Sequence, residues 1–284
     1  MYESFYELKE KPFSLLPDPK FLYLGKKHST AYAMLEYGFV HQAGFTVVTG
    51  EIGSGKTTLI RYLLTQLQEA ATIGVISNTH RSFGELLHWI LLAYKLEYKG
   101  KEKAELHQIF VDFVHTQHLL GHKVVLIVDE AQNMDHETLE QLRVLSNINT
   151  DDKQLLQVVL VGQPELRKTL QSPGLEQFAQ RIIMDYHLDP LEYFEVNDYI
   201  AHRLGISGGD PALFDLAACA IIAYHSRGIP RLINLLCDAA LVYGYALQRK
   251  IIDLDVANEV IDDKLQGGIV PLEQPPAQAS YYNS

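Results

Sequence analysis

The sequence predicts an α/β fold followed by an all-helical domain. Short apolar runs rich in β-branched residues alternate with helical patterns as far as about residue 190, where the β signal stops, and 47% of the 284 residues are hydrophobic, enough for one large core or two modest ones. Four runs read as buried strands of a parallel sheet: Phe45 to Thr49, Ile73 to Ser77, Val124 to Val128 and Val158 to Val161. A fifth, Ile182 to Tyr186, is more polar and weaker. Between strands, Leu106, Ile109, Phe110, Phe113, Val114 and Leu120 recur at the three-and-four spacing that lays an apolar stripe along one helix face.

Beyond residue 190 the chain reads as helices near 192–204, 212–225, 229–248 and 254–265, separated by Gly208-Gly209 and by Gly228. In the third, Ile229, Leu232, Ile233, Leu236, Cys237 and Ala240 form the buried stripe, and Pro230 falls in the first turn, where its missing N–H costs nothing. Cys237 is therefore expected to pack as a small hydrophobe. From Gln266 onward Gly267, Gly268, Pro271, Pro275, Pro276 and small polar residues dominate, too little apolar content to offset ordering entropy, so 266–284 is expected to be a disordered tail. The expected division is 1–40, an N-terminal segment; 41–190, the α/β core; 191–265, a helical domain; and that tail.

Twenty-four Lys and Arg against 35 Asp and Glu leave a net charge of −11 and a pI near 5.5, which argues against a generally basic nucleic-acid surface. Cys219 and Cys237 are the only cysteines, so neither a disulfide framework nor a thiolate metal cage is on offer. The opening Met1-Tyr2-Glu3-Ser4-Phe5-Tyr6 has no signal-sequence character, and nowhere do roughly 18 apolar residues follow one another. A cytoplasmic location without a membrane span is the expectation. His115 and His118 sit one turn apart, and His136-Glu137 opens like a zinc-protease motif, but position 140 is Glu140 and not a histidine, so solvated helix-face histidines are the better reading.

The strongest motif is Gly50-Glu51-Ile52-Gly53-Ser54-Gly55-Lys56-Thr57, which satisfies the P-loop pattern G-x-x-x-x-G-K-[ST] at every required position. It follows the strand Phe45 to Thr49 and opens a helix through Leu59, Ile60, Leu63 and Leu64, the context the pattern needs. Glycines let the backbone turn so that its N–H groups converge on a phosphate, and the helix N-terminus adds partial positive charge. Lys56 is expected on the β and γ oxygens and Thr57 on Mg²⁺; the binding set runs Gly50, Glu51, Ile52, Gly53, Ser54, Gly55, Lys56, Thr57 and Thr58, with ATP as the nucleotide. A guanine-reading Asn-Lys-x-Asp is absent, so adenine is preferred.

Val124-Val125-Leu126-Ile127-Val128-Asp129-Glu130 is an apolar strand ending in two carboxylates. Asp129 is expected in the Mg²⁺ shell and Glu130 as the general base that orients and polarises the attacking water. Gln163 ends the next strand, at the edge where ligands of open α/β sheets collect, and could hold the water or the γ-phosphate. Arg181 and Arg231 are the arginines available to neutralise charge developing on that phosphate.

With these residues in place the chain resembles the AAA+ ATPases, and more narrowly the ExeA/GspA-type secretion ATPases with the related MSHA-pilus and PEP-CTERM/exosortase-associated ATPases, over about residues 1–265. The resemblance rests on Met1-Tyr2-Glu3-Ser4-Phe5, Lys11-Pro12-Phe13-Ser14-Leu15-Leu16-Pro17-Asp18-Pro19-Lys20-Phe21-Leu22-Tyr23-Leu24, Ala43-Gly44-Phe45, the P-loop, Asp129-Glu130-Ala131-Gln132-Asn133, Leu142-Arg143-Val144-Leu145-Ser146-Asn147, Gly162-Gln163-Pro164-Glu165-Leu166 and Gly228-Ile229-Pro230-Arg231. It implies a five-stranded parallel sheet of order 5-1-4-3-2 with a helical lid. It also implies sensor 1 at Gln163, an arginine finger acting across subunits at Arg181, sensor 2 at Arg231 as a nucleotide contact, and an adenine side that includes Phe13 and Tyr23. The same resemblance implies Mg-dependent ATP hydrolysis by a ring or short helix of subunits that serves a secretion, pilus or exopolysaccharide system, peripheral to the inner membrane through its partners. The longer secretion members continue through a membrane span into a peptidoglycan-binding part; the Pro-rich ending here makes the shorter members the nearer match. Two other readings stand beside this one: a DNA-associated regulator of the TniB-like transposition type, which shares the core, and a nucleotide-gated scaffold of slow turnover.

Overall fold

A computed structural model describes residues 1–41, 43–67, 71–77, 86–150, 153–267 and 272. Along the chain run helix α1 (Tyr2–Phe5), α2 (Lys26–Val40), strand β1 (Phe45–Gly50), α3 (Lys56–Leu67), β2 (Ala71–Ile76), α4 (Leu86–Ala93) and α5 (Lys103–Leu119). Next come β3 (Lys123–Val128), α6 (His136–Leu145), β4 (Leu156–Gly162), α7 (Pro164–Leu170), α8 (Glu176–Ala179) and β5 (Ile182–Leu188). The last four helices are α9 (Glu195–Ile206), α10 (Leu216–Ser226), α11 (Pro230–Ala246) and α12 (Leu254–Gly267). The chain forms two compact units, one of Lys26–Ile52 and Lys56–Asp189, the other of Met1–Gly25, Gly53–Gly55 and Pro190–Ser284.

The first unit is the α/β one. Its five strands pair in the order β2-β3-β4-β1-β5, every pair parallel, which is the order 5-1-4-3-2 read from its other edge. β1 and β4 are buried along their whole lengths because helices cover both sheet faces, which is why Thr-Val-Val-Thr and Val-Val-Leu-Val read as continuous apolar runs and not as alternation. Phe45, Leu106, Phe110, Leu126, Leu139, Leu142 and Leu160, all fully buried, belong to one core cluster, each such side chain contributing roughly 1.5–3 kcal/mol. Edge strand β5 alternates between partly buried and exposed positions, which explains its weak signal.

Helix α2 has no counterpart in the sequence reading. It is held at its C-terminal carbonyls: Lys123 Nζ donates to Phe39 O at 2.9 Å and Val40 O at 3.0 Å, and the buried Gln157 amide donates to Gly38 O at 3.3 Å and Phe39 O at 3.1 Å. A cation at a helix C-terminus also opposes the negative end of its dipole.

The second unit is all-helical, with α9 and α12 each packed on α10 and α11 around Val196, Ile200, Ile222, Ile233, Leu236, Leu241 and Val260. Cys219 and Cys237 are buried in it, and burial pushes the Cys219 thiol up to about 12 and holds Cys237 well above the ordinary thiol range, so both are inert apolar filler. Expected as one piece, the segment 1–40 is divided: Met1–Gly25 groups with the helical unit and α2 with the α/β unit. Arg203 anchors the former. Its guanidinium, 6% exposed, donates to Pro12 O at 2.6 Å, Ser14 O at 3.4 Å and Tyr199 Oη at 3.0 Å, and lies 4.6 Å from the Phe21 ring centre. Gln266 and Gly267, read as the start of a tail, close α12; of the rest of that stretch only Leu272 is among the described residues.

A left-handed pair, Arg227 at φ 51° and Gly228 at φ 72°, ends α10 and turns the chain into α11. Gly228 O accepts the Leu191 N–H at 2.9 Å, and a Cβ on Gly228 would stand 1.9 Å from Leu191 O. Both the φ and the contact demand glycine. Gly228→Ala is expected to destabilise the protein by about 3 kcal/mol, seen as a lower urea midpoint by far-UV circular dichroism; an unchanged midpoint would refute the contact.

Candidate functional site

Because all five strands run parallel, their carboxyl ends share one edge, and β1 stands between β4 and β5 while β3 lies beyond β4. The loop after β1, the carboxylates after β3 and the glutamine after β4 therefore emerge side by side, where ligands of open α/β sheets bind. Thr49, the last side chain before the loop, is wholly buried and hydrogen-bonded to His187 Nδ1 of β5 at 3.0 Å, which ties the start of the loop to the neighbouring strand.

Gly53 at φ 83° and Gly55 at φ 97° give the loop its turn before Lys56 opens α3. The Lys56 side chain folds back along it, donating to Gly50 O at 2.7 Å and Glu51 O at 2.9 Å. Burial pushes the Lys56 ammonium below the usual lysine range, although Glu130, Asp129 and Glu51 pull the other way. Asp129 is raised, first by burial and then by the Glu130 charge, against the hydrogen bonds from the Glu130 N–H and the Thr57 hydroxyl and the attraction of Lys56. Thr57 Oγ1 donates to Asp129 Oδ2 at 3.2 Å. A hydroxyl beside a carboxylate is a hard-oxygen donor set, the kind Mg²⁺ takes, and a partly desolvated carboxylate gains most from a cation; these residues fit that metal.

Glu130 sits in the left-handed region at φ 55°, uncommon for its type, with its N–H donated to Asp129 Oδ1 at 2.9 Å. Its Oε2 receives the Gln132 amide at 2.6 Å and the Gln163 amide at 3.5 Å. Gln132 Oε1 in turn accepts the backbone N–H of Gln163 at 3.0 Å. The structure thus brings Lys56, Thr57, Asp129, Glu130 and Gln163 together, and adds Gln132, to which the sequence reading gave no role. Its signal was slight: one more polar residue two places past the strand's last carboxylate, in a 3-10 turn over Ala131–Asn133.

Arg181 is placed elsewhere in the same unit. Its guanidinium donates to Arg143 O at 3.2 Å and Ser146 Oγ at 3.0 Å, at the C-terminal end of α6, whose last carbonyls favour a cation. In the helical unit, which takes in Gly53–Gly55, the Arg231 N–H donates to Gly53 O at 3.2 Å, and a Cβ on Gly53 would lie 2.5 Å from Arg231 Cβ. The expectation that Phe13 lines an adenine site is corrected: it is 1% exposed, a core residue edge-on to Phe214 at 5.8 Å, with no face left for a base. The partly buried Tyr23 meets Tyr199 and His202 edge-on.

Known proteins share parts of this sequence and its fold. Residues 40–170 match a family described as an AAA domain. General secretion pathway protein A of Aeromonas hydrophila is 42% identical over 259 residues, 90% of this chain and 47% of that protein, so the chain spans about half the length of the relative it matches. Among solved structures, the Aeropyrum pernix ORC2 protein in its ADPNP–ADP complexes superposes with a TM-score of 0.66 over 90% of this chain and 71% of that one, at 16% identity. Pyrobaculum aerophilum Cdc6p gives 0.64 at 16% identity, over 84% of this chain and 68% of that one. The Thermotoga maritima RuvB Holliday junction branch migration motor gives 0.55 at 19% identity, over 84% and 69%. At these identities the likeness establishes the fold.

The direction of the Asp129 shift sets a pH dependence. A carboxyl whose folded pKa lies above its unfolded value binds more protons in the native state, so stability is lost as pH rises from the ordinary aspartate range through the raised value. Asp129→Asn keeps the shape and removes that loss. The nucleotide-free variant is expected to melt above the nucleotide-free wild type at pH 7, with the gap narrowing toward pH 4, as read by thermal scans; a gap of the opposite sign would refute the burial argument.

Proposed function

We propose that this chain, whose residues 40–170 match an AAA domain and which is 42% identical to general secretion pathway protein A, is an AAA+ ATPase that hydrolyses Mg-bound ATP as an oligomer and couples that cycle to the assembly of a cell-envelope machine. The continuous hydrogen-bonded line Thr57, Asp129, Glu130, Gln132 and Gln163 across the carboxyl edge of the sheet carries the reading, because it holds a cation-binding pair and a candidate base in one rigid frame.

In this reading Lys56 leaves the carbonyls of Gly50 and Glu51 for the phosphate oxygens, an exchange its burial favours, since a desolvated ammonium gains most from an anion. The backbone of Gly50 to Thr58 wraps the phosphates. Thr57 and Asp129 hold Mg²⁺, which supplies charge neutralisation at the phosphates. Glu130 takes the proton of the attacking water as its oxygen bonds to the γ-phosphorus and the bond from that phosphorus to the bridging oxygen breaks, with ADP and phosphate as products. Gln163 steadies the base and the water. Arg231 is assigned the sensor 2 contact to the nucleotide on the resemblance of Gly228-Ile229-Pro230-Arg231 alone. Arg181, hydrogen-bonded at the end of α6 and not to the Glu130 cluster, suits a group that serves the nucleotide of an adjacent subunit.

A secretion partner rests on the identity to general secretion pathway protein A; a pilus or exopolysaccharide assembly component, reached from the cytoplasmic side, rests on the motif resemblance. Among the described residues no helix is long and apolar enough to cross a membrane. A peripheral position at the inner membrane through partners is part of the proposal.

Two outcomes test it. Lys56→Ala is expected to lose binding of a fluorescent ATP analogue, whereas Glu130→Gln binds it normally and loses about 100-fold or more in phosphate release; equal turnover of the Gln variant and wild type would sink the base assignment. Arg181→Ala is expected to be inactive alone and partly restored by mixing with inactive Lys56→Ala, because each subunit supplies what the other lacks. Failure of mixing at concentrations that give mixed oligomers would exclude a finger acting across subunits.

A further inference from the structure

The amide of Gln132 is fixed at both ends. Its Oε1 faces the Gln163 backbone N–H at 3.0 Å, and that group can only donate, so the orientation of the amide is set and Nε2 must be the atom directed at Glu130. Nε2 donates to Glu130 Oε2 at 2.6 Å. The backbone makes room for this arrangement: a Cβ on Gly162, the residue before Gln163, would stand 2.9 Å from Gln132 Oε1 and 2.9 Å from Leu166 Cδ2. The turn that carries Gln132 is anchored by Ala131, which is wholly buried. Glu130 itself starts that turn from a left-handed backbone conformation.

We propose that Gln132 is a positioning residue for the hydrolytic step: it locks the Glu130 carboxylate to the end of β4, so that the base keeps a fixed direction and distance relative to the water held near Gln163. This rests on the reading of Glu130 as the general base. Gln132 touches no reacting atom. It acts by holding the group that does, and through the Gln163 N–H it makes base and polar partner parts of one rigid unit, so that a displacement at the end of β4 is carried to the base.

Two variants separate this role from plain structural support. Gln132→Glu keeps the side-chain length and the acceptor for the Gln163 N–H but replaces the donor to Glu130 by a carboxylate; Gln132→Ala removes both bonds. Phosphate release under saturating Mg-ATP gives kcat, and titration with a fluorescent ATP analogue gives the affinity. Both variants are expected to lose at least about 10-fold in kcat while the affinity stays within about threefold, since the ground-state contacts to phosphate do not pass through Gln132. Retention of kcat by Gln132→Glu would overturn the proposal, because the spared acceptor would then be all that matters; so would a loss of affinity matching the loss of turnover in both. Turnover by Glu130→Gln at the wild-type rate would remove the base reading and this proposal with it. Loss in Glu130→Gln together with wild-type kcat in both Gln132 variants would remove this proposal alone.

Discussion

Desolvation of opposite charges at one sheet edge is the constraint from which the rest of the site follows. Lys56 and Asp129 are both taken out of water, and burial pushes each toward its neutral form even though the two attract. Neither shift alone reports a weak interaction; together they describe a site whose charged groups are held by neutral backbone and hydroxyl partners. Lys56 is satisfied by two carbonyls and Asp129 by a hydroxyl and an N–H, neutral partners that the proposed phosphate and cation would replace. Fixing two such groups costs stability, and the fully buried β1 and β4 with the core behind them supply it.

What was legible in the sequence was what short-range chemistry dictates. The loop from Gly50 to Thr57 declares itself because only glycine accepts the backbone angles found at Gly53 and Gly55, and because a lysine and a threonine at fixed offsets have one well-known use. The strands declared themselves where both faces are buried and faded at β5, where one face is not. Hidden features depend on partners far along the chain. Helix α2 is held by Lys123 and Gln157, more than 80 residues away, and nothing within Lys26–Val40 advertises them. The division of the first forty residues turns on Arg203, which meets Pro12 and Ser14 across about 190 positions. Gln132 stood in plain view in Asp129-Glu130-Ala131-Gln132, but its role appears only when β4 brings Gln163 alongside. Phe13 shows the opposite error: an aromatic near a nucleotide motif invites a stacking role, and a ring with 1% exposure has already been used by the core.

The surroundings of Arg181 extend the same logic to a second cation. A guanidinium placed to act on another subunit's phosphate must be ordered before that subunit arrives, yet must not be neutralised by its own chain. A carboxylate partner would meet the first demand and fail the second, because it would compete with the incoming anion. Arg181 is instead held by a backbone carbonyl and a serine hydroxyl at the end of α6, while Arg143, whose carbonyl it uses, directs its own guanidinium to Glu140 at 2.7 Å. Two arginines thus adjoin one helix end with different fates, one paired with a carboxylate in cis and one with no carboxylate partner among the described residues. The carbonyl and the hydroxyl order Arg181 at little electrostatic cost, and in the proposed oligomer an arriving phosphate would meet a cation already held by partners it need not displace. That asymmetry, and not exposure, is what supports the proposal that Arg181, and not Arg143, acts between subunits.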